Sequence, residues 1–290
     1  MISRSSLPTV QRRMLARELR HLRERASLTG DDIKDRLGWS ASKISRIENA
    51  RISVSKRDIE LLLDVYGANN SQRKRLLMLA EQTQTLQAWR IYPTLPEEFL
   101  SYLEIESAAA LVRQWEVGVI PGIVQTEAYA RHLTESWREM DPMLTAREIE
   151  DRVAIRLKRQ QRFLPPSSAR LWLVLDEAVL RRTVGSPAIM AEQLRRLVEL
   201  SRLPNVTLQV VPFDRPRGVF EESFTLFNLD QSNPVEQCVV YIDRNVTSQF
   251  LLDEDQAIRF ENMFERFVSY ALDADGTRQS LLKAVEVFAR

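Results

Sequence analysis

At 290 residues the chain is long for one hydrophobic core and reads as two domains. Hydrophobic residues make up 44% and charged residues 28%, and no apolar run approaches the roughly 18–20 residues that cross a bilayer. The N-terminus, MISRSSLPTVQRRML, lacks the apolar core and cleavage site of a secretory leader, so the expectation is a cytoplasmic protein with no membrane partner.

The net charge of +1 hides an asymmetry. Residues 1–90 hold 18 basic and 10 acidic side chains, and the remainder holds 23 and 30. A basic first third joined to an acidic remainder suggests a polyanion-binding module attached to something with another job. Cys238 is the only cysteine, which excludes an internal disulfide and a cysteine-based zinc site. His21 and His132 lie 111 positions apart and read as helix-surface side chains. With eight glycines there is no phosphate-cradling Gly-rich loop, and no cluster names a reaction. The expectation is therefore no enzyme, with no catalytic, cofactor-binding or metal residues and no cofactor.

The first third reads as short helices. Leu15, Leu19 and Leu22 form one apolar stripe over about 10–26, with Arg13, Arg17, Arg20 and Arg23 opposite. Thr29 is an N-cap, Asp32 stands three residues on as in a capping box, and Gly38 suits a left-handed C-terminal position. Ser40 caps the next helix, which runs to Glu48 or Asn49. Two short helices joined by about three residues containing a glycine describe a helix-turn-helix unit. A fourth helix is expected over 56–66 with Ile59, Leu62, Leu63 and Tyr66 inward, and a fifth over 71–87. Domain limits follow as 1–87, a proline-containing linker 88–102, and 103–290.

In the second domain the spacing of Ile105, Ala108, Ala109 and Val112 predicts a helix over 103–115, followed by helices over 123–137, 145–163, 187–202, 254–272 and 277–289. Segments 169–175, 206–213, 223–229, 237–243 and 248–253 read as strands of a mainly antiparallel sheet, giving an α+β fold overall. Trp115, Trp137, Trp172, Phe213, Phe220 and Phe227 are expected in the core. Asp176-Glu177 reads as a strand-to-helix N-cap, and Pro121-Gly122…Gln125-Thr126 as a tight turn between helices.

In the third helix, Ile44 and Ile47 supply the inner face. Ala41, Ser42, Lys43, Ser45, Arg46 and Asn49 then point outward. Ser42 can hydrogen-bond any base, the Ala41 methyl can touch a thymine methyl, and Lys43 and Arg46 suit guanine or phosphate. Asn49 and Arg51 suit backbone phosphates, and Glu48 reads as an ion pair inside the domain.

The run Leu28-Thr29…Leu37-Gly38…Ser40…Ile44-Ser45-Arg46-Ile47-Glu48-Asn49 resembles the Cro/C1-type (XRE family) helix-turn-helix. The resemblance implies a five-helix DNA-binding domain over about 12–82, a homodimer on double-stranded DNA, and a DNA-contacting set of Ser40, Ala41, Ser42, Lys43, Ser45, Arg46, Asn49 and Arg51. Gly30 and Lys34 depart from that family, which usually has Gln and Ala there.

Trp115-Glu116, Ile120-Pro121-Gly122-Ile123-Val124-Gln125-Thr126, Tyr129-Ala130, Asp176-Glu177-Ala178-Val179-Leu180 and Pro204-Asn205-Val206 resemble the C-terminal region of WhiJ-like actinobacterial regulators. That resemblance implies a transcriptional regulator controlled, antitoxin-like, through a small partner protein encoded nearby. The alternative is a C-terminal domain that senses a small-molecule effector.

Overall fold

A computed structural model describes residues 10–52, 54–81, 89, 92, 95–164, 167, 169–215, 220, 222–229, 238–244 and 247–289. The chain forms two compact units, Met1–Ile105 and Glu106–Arg290. Among the described residues no helix is long and apolar enough to cross a membrane.

The first unit contains α1 (Val10–Arg25), α2 (Gly30–Leu37), α3 (Ala41–Glu48), α4 (Lys56–Val65) and α5 (Asn70–Glu81). Its core joins Leu15, Leu19 and Leu22 of α1 to Ile33, Ile44, Ile47, Ile59, Leu62, Leu63, Tyr66 and Leu76, all buried. The helix ends follow the capping residues. Thr29 accepts from the Asp32 amide, and Asp32 accepts from the Thr29 amide in return, so the capping box forms despite the short aspartate. Gly38 takes φ +68. Residues 82–87 of the expected fifth helix, and residues 88, 90, 91, 93 and 94 of the expected linker, lie outside the described ones.

Between 95 and 116 the sequence expectation needs correction. Helix α6 covers Glu97–Ala108, and the chain then turns into strand β1 (Leu111–Glu116) where one helix over 103–115 was expected. Ala108, Ala109 and Val112 do fit a helical stripe. However, Val112 and Trp115 are buried on opposite faces of the strand, and Arg113 is held by partners more than 100 positions away. The helix expected over 123–137 is a 3-10 turn (Gly122–Val124) followed by α7 (Glu127–Ser136), because Thr126 caps the Tyr129 amide and starts a new helix.

The remaining elements are α8 (Ala146–Gln160), β2 (Arg170–Asp176), α9 (Glu177–Arg181), α10 (Pro187–Leu200), β3 (Val206–Val211), β4 (Phe224–Asn228), β5 (Cys238–Arg244), β6 (Thr247–Leu251), α11 (Glu254–Tyr270) and α12 (Ala274–Phe288). The six strands form one sheet in the order β3-β2-β1-β4-β5-β6. β1, β2 and β3 run parallel, while the pairings β1/β4, β4/β5 and β5/β6 are antiparallel. The architecture is α+β, with a parallel half whose strands are joined by the crossover helices α7–α8 and α9–α10. Strand β2 is buried on both faces at Leu173, Val174 and Leu175, which is why it reads as a continuous apolar run.

On one face Trp115 stacks on Phe267 of α11 with ring centroids 3.9 Å apart, joined by Phe224 and Phe264. Two buried arginines of this unit are paired. Arg113 donates to Asn228 at 3.0 Å and to Glu261, and Arg159 makes two bonds to Glu106 at 2.7 and 2.6 Å. The aromatic expectation fails at Phe213, which follows β3 and is 57% exposed. Asp176 is the expected N-cap, accepting from the Ala178 amide at 2.8 Å.

Candidate nucleic-acid interface

The candidate surface is built on α3. Ser40 is extended at φ −70, ψ 143, and its hydroxyl accepts from the Lys43 amide at 3.2 Å, which starts the helix. Gly38, in the left-handed region, turns the chain from α2 into that cap. Ile44 and Ile47 are buried against Ile33, leaving one face of an eight-residue helix free.

The far end of α3 is fixed by a left-handed residue that is not glycine. Ala50 takes φ +55 and is buried, its amide bonds the Ile47 carbonyl, and the Arg51 amide reaches back to Arg46 at 2.8 Å. The same arrangement ends α1, where Ser27 takes φ +56 and the Leu28 amide bonds the Arg23 carbonyl at 3.1 Å.

One ion pair locks the back of α3 to α1. Arg23 donates to both carboxylate oxygens of Glu48, at 2.7 and 3.0 Å, and to the Leu28 carbonyl at 2.7 Å. The side chains are 15% and 8% exposed. Arg23, expected on the solvent side of α1, therefore turns inward. Glu48 has the structural role expected of it. Its hydrogen bond holds the Arg23 guanidinium protonated more firmly than usual, and burial raises the neighbouring Tyr66 hydroxyl well above its ordinary value.

The expected DNA-contacting residues fall into two groups. Ser40, Ala41, Ser42, Ser45, Arg46, Asn49 and Arg51 are exposed. Arg46 donates from Nε to the Ser42 carbonyl at 3.3 Å, and Asn49 donates from Nδ2 to the Ser45 carbonyl at 2.7 Å. Both side chains thus lie along the helix, within reach of its outer face. Lys43 differs. Its Nζ sits 3.5 Å from the centroid of the Trp39 ring and 3.3 Å from Asp58, at 31% exposure. Trp39 and Asp58 are the neighbours that sequence reasoning missed. The only local signal was an aromatic four residues before a lysine.

Gly30 and Lys34, the two departures from the resembled family, are both harmless to the packing. Nothing lies within 4 Å of a Cβ added at Gly30, and Lys34 is exposed.

Comparison with known proteins agrees with this layout. Residues 99–283 match the family described as Domain of unknown function (DUF5753), and residues 14–76 match the family described as Helix-turn-helix domain. No curated protein and no solved structure is detectably similar to the chain.

Proposed function

The chain belongs to the DUF5753 family and carries a helix-turn-helix domain ahead of it, and from that premise we propose a sequence-specific transcriptional regulator of the Cro/C1 type. The observation that carries this reading is the exposed face of α3. Small side chains at Ala41, Ser42 and Ser45 let the helix approach base edges closely, and Arg46 and Arg51 flank them with charge. Ile44, Ile47 and the Arg23–Glu48 pair hold that face outward from behind. Double-stranded DNA is the partner. A homodimer would place two copies of α3 about one helical turn apart on a near-palindromic site.

The second unit would supply control. A small partner protein held antitoxin-like on this acid-rich unit is one form. A small-molecule effector is the other, and it is favoured by a specific observation: a cavity of about 540 Å³ lies within the unit, a volume suited to a small molecule.

The test is selection of binding sites from a random duplex library, followed by footprinting. Replacing Lys43 and Arg46 together by Ala is expected to abolish the footprint while the circular dichroism spectrum stays unchanged, since neither side chain belongs to the hydrophobic core. A footprint that survives the double substitution contradicts the reading. Affinity is also expected to fall steeply with added salt, through release of counterions from the neutralised phosphates.

A further inference from the structure

We propose that the cavity between α9, the segment after β3, and α12 is a binding site for a small organic anion with an apolar body. The proposal deepens the effector reading above and rests on it.

The site lies at the carboxyl ends of two parallel strands. Glu177 follows the last residue of β2, and Pro212, Asp214 and Arg215 follow the last residue of β3. At this end of a parallel sheet the chain leaves the strands, and its loops can diverge to leave a crevice, although the strand order does not reverse between β2 and β3. Helix α12 forms the opposite wall with Ala284, Val287 and Phe288, and Leu180 and Leu272 complete an apolar lining. Phe213 stands between two lining residues with its ring mostly in solvent, and Val287 is 64% exposed. Apolar surface left in solvent at the mouth of a cavity is the kind that a ligand body covers.

Charge selects the class of ligand. Arg181, Arg215 and Lys283 line the cavity against Glu177 and Asp214. Glu177 is already committed: one oxygen accepts from Arg181 Nε at 2.7 Å and the other from the Phe213 amide at 2.8 Å. Arg215 and Lys283 make no ion pair among the described residues. Asp214 is exposed and only partly offsets them. The balance of the lining is positive, and the two available cations come from different elements, so a single carboxylate, sulfonate or phosphate between them would be held from two sides.

The test uses the full chain and two fluorescent compounds that share one body. Anilinonaphthalene sulfonate carries the anion, and N-phenylnaphthylamine is the same aromatic body without it. One saturable site is expected for the sulfonate, with the uncharged compound binding at least about tenfold more weakly. Replacing Arg215 and Lys283 by Gln is expected to weaken the sulfonate about tenfold or more and leave the uncharged compound unchanged. Ala284→Trp, which fills the apolar wall, is expected to displace both. The proposal is overturned if no saturable site is found, if the two compounds bind equally, or if neither variant alters sulfonate binding. No DNA enters this titration, so failure of the DNA-binding reading leaves its outcome unaffected.

Discussion

Removing the Glu48 carboxylate should loosen α3 from α1. Glu48 accepts two charge-assisted bonds from Arg23, at 2.7 and 3.0 Å, in a setting where the side chains are 8% and 15% exposed. Glu48→Ala leaves the guanidinium with the Leu28 carbonyl and a long, half-exposed contact to Glu24 at 3.8 Å. Stranding a buried cation costs about 3–5 kcal/mol. Arg23 keeps the Leu28 bond, the Glu24 contact and some access to water, so about 2–3 kcal/mol is the expected loss. The assay is native-state hydrogen exchange on full-length protein, read on peptides covering α1 and α3. The amides at Ile44 and Ile47 should exchange about 30- to 150-fold faster. The double variant with Arg23→Ala should recover part of the loss, because the stranded charge is gone. If Glu48→Ala changes the opening free energy of α3 by less than about 0.5 kcal/mol, the pair is an ordinary surface contact and the anchoring argument fails.

Three further outcomes follow from the same geometry. Asp58→Asn releases Lys43 from its 3.3 Å partner and removes one negative charge beside α3, so, on the proposed reading, operator affinity at low salt should rise about threefold, with a binding isotherm as the check. Ser27→Gly relieves a left-handed backbone at an exposed helix end, and chemical denaturation should show a gain of about 0.5–1 kcal/mol. Glu116, at the end of β1, bonds Gln114 at 2.7 Å, and desolvation pushes its carboxyl up to about 7. The folded state then holds a proton that the unfolded state has released, so this group lowers stability as pH rises from about 4.5 to about 7. Glu116→Gln should remove that slope and leave the variant more stable than the parent by about 2–3 kcal/mol at pH values near 8, measured by urea denaturation.

The first unit was legible because its signals are local. Thr29, Asp32, Gly38 and Ser40 fix helix ends within four residues of themselves, and Ile44 and Ile47 mark the buried face by spacing alone. What the sequence concealed depends on partners far along the chain. Strand β1 reads LVRQWE, and its Arg113 and Gln114 break the apolar alternation that identifies a strand. Arg113 is buried there because Glu261, 148 positions away, neutralises it. The parallel half of the sheet was hidden for the same reason, since parallel register depends on crossovers and leaves no turn signature. Arg23 looked like one of four solvent arginines, and only its distance to Glu48 separates it from the others. Around the cavity, Asp176-Glu177 was legible as a cap, but that Glu177 and Lys283 of α12 line one cavity was not.

The most direct test of the central claim is cleavage of the selected operator by an iron chelate attached at position 42. Cys238 is buried and its thiol is pushed up to about 12, so Ser42→Cys becomes the one reactive thiol among the described residues. Cuts clustered in the major groove of two half-sites about one helical turn apart are the predicted result. Diffuse cutting from position 42, together with localised cutting from the same chelate at Leu282 of α12, would contradict it.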